Sequence, residues 1–290
     1  MTRPTLPETA EVRALRAADG TALTALAYRP AGAPKGRIVV AGATGVPQRF
    51  YRAFAEHAAA RGHEVHTLDY RGIGLSKPKT LRGYRMDYLD WAEQDLPALL
   101  ASLPDDGVPM HLVGHSYGGH AFGLLPDPNR FRRAWICATG AGWAGWMPPL
   151  EAVRVRLLWG VVAPVWTQLH GYLAWSRFGM GEDLPYGVYR DWKRWCSYPR
   201  YFFDDPQMAA RVTERFDRVR TPITAVNALD DSWAPPRSRD AFMAGYRNAP
   251  LTPVDLDPKS HGLQGIGHMG YFRRGAEALW DQALASFEAA

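Results

Sequence analysis

A serine on a turn flanked by small residues is the most chemically suggestive feature of the chain. Gly114-His115-Ser116-Tyr117-Gly118 follows directly on the apolar run His111-Leu112-Val113 and leads into Gly119. A serine on a sharp strand-to-helix turn takes strained backbone angles, and side chains two positions to either side would collide with it, so glycine is needed there. A serine hydroxyl is a poor nucleophile until a histidine takes its proton, and that imidazole needs a carboxylate to fix its tautomer. Of nine histidines, His268 in Gly267-His268-Met269-Gly270-Tyr271 is the expected base, with His261 as its neighbouring alternative. His57, His63 and His170 read as solvated or structurally bonded, and His115 and His120 as packing beside the serine. The segment Asp230-Asp231-Ser232-Trp233-Ala234-Pro235 offers two candidate acids. The oxyanion formed by attack on a carbonyl needs two backbone N–H donors, expected from Tyr117 and from Ala43 in Ala41-Gly42-Ala43-Thr44-Gly45, with the Thr44 hydroxyl as a possible addition.

The surrounding pattern supplies elements able to hold these groups. Residues 11–16 and 21–28 alternate as strands around Asp19-Gly20, a dipeptide suited to a hairpin turn. Residues 37–41 then read as a strand and 46–62 as a helix; 63–69 as a strand and 88–103 as a helix; 110–113 as the strand entering the serine turn. Further strands are expected at 134–138, 223–229 and 252–256, and an amphipathic helix at 275–287. Alternating strands and helices predict an α/β fold, a mostly parallel central sheet with helices on both faces. The stretch 142–205 breaks that cycle, so the 290 residues are expected to form one domain, 1–290, with 142–205 inserted as a helical cap.

Composition narrows the partners. Hydrophobic residues at 47% and charged residues at 22% are ordinary for a globular protein and speak against disorder. The net charge of +5 is spread along the chain, which argues against nucleic acid and leaves a small-molecule substrate as the expected partner; oligomeric state stays open. The opening twenty residues carry no basic-then-apolar leader pattern, and the longest apolar run, 157–166, is too short for a bilayer span, so a cytoplasmic location is expected. Cys137 and Cys196 have no metal-like spacing, and the serine chemistry requires neither metal nor organic cofactor.

The chain resembles the α/β-hydrolase superfamily in its serine turn, in Asp69-Tyr70-Arg71-Gly72-Ile73-Gly74-Leu75-Ser76, which looks like that superfamily's structural D-x-R-G-x-G-x-S signature, and in the order Ser116, aspartate, His268. It is also similar to a bacterial branch of predicted hydrolases near the serine aminopeptidase and monoglyceride lipase group, through residues 42–49, 181–185 and 265–268. The resemblance implies the α/β-hydrolase fold and Ser116, Asp231 and His268 as the triad. Asp231 is favoured over Asp230 because a proline four positions after the acid, here Pro235, is frequent among relatives. Where many relatives have His-Gly, this chain has Ala41-Gly42, so the histidine that commonly braces the oxyanion turn is missing. Serine rather than aspartate at position 116 argues against the haloalkane dehalogenase and epoxide hydrolase relatives, whose aspartate forms an ester with the substrate carbon.

The expected activity is hydrolysis of a carboxylic ester with a small to medium hydrophobic acyl or aromatic group. Acyl transfer, or cleavage of thioesters, lactones, amides or C–C bonds by the same triad, stands as the alternative, and a non-catalytic binding protein of the same fold as the remote one. Seven of the eleven tryptophans lie between Trp143 and Trp195, with Tyr172, Phe178, Tyr186 and Tyr189 among them, either lining an acyl pocket or packing the cap on its core. Glu182 and Asp183 are expected as solvated loop charges, with pairing to Arg or Lys on the core as the alternative, and Gly179, Gly181 and Pro185 as bends in a mobile lid.

Overall fold

In a computed structural model, which describes residues 9–179 and 181–288, eight strands form one sheet in the order β1-β2-β4-β3-β5-β6-β7-β8. They are β1 (Glu11–Arg16), β2 (Ala22–Tyr28), β3 (Gly36–Ala41), β4 (His63–Asp69), β5 (Met110–His115), β6 (Arg133–Cys137), β7 (Ile223–Ala228) and β8 (Leu251–Leu256). The leader reading falls partly on residues 1–8 and the cap reading on Met180 and the Phe178 side chain, all outside the described part. β2 runs antiparallel to β1 and β4, while every other pairing is parallel. The α/β-hydrolase fold expected from the sequence is thus the fold observed.

Side chains of the central strands alternate between two apolar layers. Val39 and Ala41 of β3 face one, Ile38 and Val40 the other. The second layer is closed by helices Arg52–Ala60 and Glu277–Glu288, whose Phe54, Ala58, Leu279, Trp280 and Ala283 are buried at helical spacing. Helices Leu96–Ala101, Tyr117–Phe122, Ala209–Phe216 and Pro236–Met243 cover the first layer.

Two expected helices begin irregularly, for local reasons. Pro47 starts a tight turn, Gln48–Tyr51, before the regular helix sets in at Arg52. In the region expected as a helix over 88–103, Trp91–Asp95 forms a wide π turn, with Leu96 N–H donating to Trp91 O, just ahead of Pro97. A proline has no N–H to give to the residue four back, and widening the preceding turn relieves that clash. Between β6 and β7 lie helices Pro149–Leu157, Ala163–His170 and Tyr186–Trp195. No helix among the described residues is long and apolar enough to cross a membrane.

Candidate active site

The sheet delivers the candidate residues to one edge because parallel strands all end on the same side. β5 runs straight into Ser116, which has φ 51° and ψ −105°, and the helix Tyr117–Phe122 begins on the next residue. Such a backbone is strained for a residue with a Cβ and holds only because the surroundings leave no alternative. A Cβ on Gly118 would sit 2.0 Å from the Ala41 carbonyl oxygen, and one on Gly114 would meet the Gly118 backbone at 3.0 Å.

His268 arrives from the segment after β8 and Asp231 from the segment after β7. Ser116 Oγ lies 3.0 Å from His268 Nε2, and His268 Nδ1 lies 2.9 Å from Asp231 Oδ2. The other carboxylate oxygen, Oδ1, accepts the amides of Trp233 and Ala234, each at 2.9 Å. Burial pushes the Asp231 carboxyl up, but the facing His268, its hydrogen bond and the two amides outweigh this and hold it below its ordinary value. Asp230 does not reach the imidazole. Its two oxygens accept the amides of Ile266 and Gly267, each at 2.9 Å, which ties down the segment that presents His268. His261 is bonded to Asp257 O and to Gln282, away from Ser116.

The expected oxyanion donors differ from one another. Tyr117 is the first residue of its helix, so its amide has no intrahelical acceptor and sits beside Ser116. The Ala43 amide is not open in this way: it donates to Tyr51 Oη at 2.7 Å. The Thr44 hydroxyl is likewise engaged, with Tyr88 Oη.

Tyr51 belongs to a chain of bonds that the sequence did not announce. Its hydroxyl lies 3.0 Å from His115 Nδ1, and His115 Nε2 lies 2.9 Å from the carbonyl of His268. A carbonyl only accepts, so His115 Nε2 carries the proton and Nδ1 accepts from Tyr51, whose oxygen is left to accept from Ala43. Burial first, then the neighbouring His268, pushes His115 down to about 3, so it stays neutral. The residue expected to be packing therefore links the loop carrying Ala43 to the loop carrying His268, a brace where the familiar His-Gly histidine is absent. His120 bonds Gly140 O at 2.9 Å and stacks on Tyr201.

Above Ser116 and His268 opens a cavity of about 560 Å³, walled by Phe50, Trp175, Trp192, Trp233 and Met269, with Arg49 and Arg273 also lining it.

A family model described as the alpha/beta hydrolase family matches residues 15–281. The chain belongs to the alpha/beta hydrolase family. No curated protein sequence matches it. Among solved structures, this alpha/beta hydrolase is similar to a soluble variant of monoglyceride lipase from Saccharomyces cerevisiae, with a TM-score of 0.68, 13% identity, and coverage of 99% of this chain and 98% of that one. It is similar to a Pyrococcus furiosus esterase, TM-score 0.61 at 12% identity over 99% and 94% of the two chains. A thioesterase domain from the curacin biosynthetic pathway gives 0.59 at 16% over 95% and 99%. At such identities the likeness concerns the fold.

The tryptophans of this alpha/beta hydrolase divide between the two roles considered for them. Trp175 and Trp192 line the cavity, whereas Trp159 is buried behind them and Trp195 stacks on Tyr88 at 5.6 Å. The expectation of solvated charges at 182 and 183 is corrected. Glu182 bonds Arg49 at 3.1 Å and accepts the Gly74 amide at 3.2 Å, and its own amide donates to Gly45 O at 2.9 Å. Asp183 accepts from the Ser176 amide at 3.0 Å and lies 3.8 Å from Lys77. The Glu182 contacts join the segment before Tyr186–Trp195 to the Ala43 loop, and the pairing of both acids with core cations, the alternative reading of the sequence, is what the structure has.

Proposed function

We propose that this alpha/beta hydrolase is a serine hydrolase that cleaves carboxylic esters of small to medium hydrophobic or aromatic acids through an acyl-enzyme on Ser116. The observation that carries the reading is His268, hydrogen-bonded through one ring nitrogen to Ser116 Oγ and through the other to Asp231. His268 takes the serine proton as Oγ attacks the ester carbonyl. Asp231 holds the imidazole in the Nδ1–H tautomer and stabilises the imidazolium. The Tyr117 amide, joined by the Ala43 amide shared with Tyr51, takes the negative charge of the tetrahedral oxygen. His268 then protonates the leaving alkoxide, and water activated by the same ring releases the acid. Residues 142–205 act as the cap that closes the aromatic cavity over the acyl group, and an apolar cavity of this size suits an ester of modest length.

The test is a burst assay with p-nitrophenyl esters of graded acyl length. Ser116→Ala and His268→Ala should abolish the burst, and Asp231→Asn should lower kcat by on the order of 10⁴-fold, as expected when the imidazole is left in the wrong tautomer. Asp230→Asn should lose only about tenfold, since it loosens the base segment by roughly one hydrogen bond without touching the ring. Equal losses at the two aspartates, or an unreactive parent protein on every ester, would overturn the assignment.

A further inference from the structure

The outward face of the helical run Pro149–His170 carries six large apolar side chains in one line: Leu150, Val153, Leu157, Val161, Val165 and Leu169. Each is between 50% (Val165) and 65% (Leu150) exposed, and together they make up most of the exposed large hydrophobic residues among those described. Spacings of four on a regular helix drift by roughly 40° per step and would wind the stripe round to the side. A π turn prevents this: Leu158–Val162 is widened ahead of Pro164, with Ala163 N–H donating to Leu158 O. Its extra residue takes back about 100° and keeps Val161, Val165 and Leu169 in line with Leu150 and Leu157. The inward face is apolar too, since Ala152, Val155, Trp159 and Ala163 are buried. The run thus presents apolar residues on two opposite faces, of which the protein covers only the inner one.

We propose that this stripe seats on an anionic phospholipid surface. Its charges favour that occupant. Arg154 and Arg156 are exposed and, at 100° per residue, stand on opposite sides of the apolar line, where their stems lie along it and their guanidinium groups reach headgroup phosphates. Glu151, the single acid between residues 149 and 170, lies 3.6 Å from Arg154, a surface pair that water screens and a phosphate can replace. The dimensions favour it as well. The stripe is about 28 Å long on one helix and, at on the order of 500 Å², is at the upper end for an isolated surface patch. A stable pair of copies needs about 800 Å² from each partner, and a second copy would bring the same arginines rather than an anionic complement. An apolar line edged with basic residues is the pattern of a helix lying in a membrane interface. On the buried side, Trp159 packs against Trp175 and Trp192, two walls of the cavity, so the helix that carries the stripe backs the site. The inference goes beyond the proposed chemistry at Ser116, because it is read by binding without turnover.

The test is flotation of the full chain with vesicles of phosphatidylcholine alone and of phosphatidylcholine with phosphatidylglycerol, beside sedimentation velocity without lipid. The parent protein should float with the phosphatidylglycerol vesicles and sediment as a single species. Val153→Gln/Leu157→Gln/Val161→Gln should lower partitioning by roughly tenfold or more while keeping the parent's circular dichroism melt, and Leu150→Gln/Leu169→Gln gives a second variant should the first not fold. Arg154→Gln/Arg156→Gln should reduce binding to the anionic vesicles to the level seen with phosphatidylcholine alone. A parent that ignores both vesicle types, variants that bind like the parent, or a parent dimer dissolved by the triple substitution would overturn the proposal, the last in favour of a second copy.

Discussion

Ser116, His268 and Asp231 are the groups that sequence reasoning reaches first, but Tyr51 and His115 hold the two loops that flank them. The Tyr51 hydroxyl, fully buried and pushed well up by that burial, remains a phenol and so keeps donating to His115. In the proposed reaction this brace orients Ala43 and the His268 backbone and touches no substrate atom. Tyr51→Phe removes two hydrogen bonds worth about 1 kcal/mol each. The expected result is a kcat lowered roughly tenfold with KM nearly unchanged. A raised KM with unaltered kcat would instead put Tyr51 in contact with the substrate. Asp230 and Asp231 make the same point: adjacent identical residues face different partners, one holding amides and the other an imidazole.

At the scale of elements, the turn from β5 into Tyr117–Phe122 is the least tolerant part of the architecture. Gly118 lies against the end of β3, and the contact that a methyl would make is with a backbone carbonyl, which cannot swing aside. Gly118→Ala should therefore destabilise the fold by about 3 kcal/mol or more and be seen as a large drop in Tm, with activity lost along with it. An unshifted melt would mean that β3 and this helix can separate without penalty. The two π turns show a second local rule: Pro97 and Pro164 each follow one, and in the outer helix the widened turn also decides which residues face solvent.

For the molecule as a whole, the buried carboxyl of Asp69 ties the sheet to the loops around the site. It accepts the Gln48 amide at 2.7 Å, the Leu75 amide at 2.8 Å and Gln48 Nε2 at 3.0 Å, yet burial raises it from 3.8 to about 6. A carboxyl raised on folding takes up a proton between those two values, so its contribution is fully present below pH 4 and falls as pH rises through about 6. At about 1.4 kcal/mol per pH unit, the loss between pH 4 and pH 7 is about 3 kcal/mol. Asp69→Asn cannot ionise. Denaturant unfolding should find the variant less stable than the parent at pH 4 and the gap narrower at pH 7. A gap that widens with pH would show that Asp69 is stabilised as the anion.

The strands, the serine turn and the order of Ser116, the aspartate pair and His268 were legible in the sequence because each is written locally. Alternation, apolar runs and glycine punctuation specify an element wherever it lies, and the α/β-hydrolase resemblance then assigns the ends of β5, β7 and β8 to one edge. Which aspartate meets His268 was open to residue reading, since two neighbours in a loop differ only in direction, and direction is set by the amides of Trp233, Ala234, Ile266 and Gly267. The occupied Ala43 amide, the His115 brace and the Glu182 contacts join residues 8, 153, 64 and 133 positions apart, and no local pattern encodes such pairings. The sequence alone determined the elements and the chemistry available to them. Only the tertiary structure decided which polar groups satisfy one another, because burial forces each donor to the acceptor that the packing brings near.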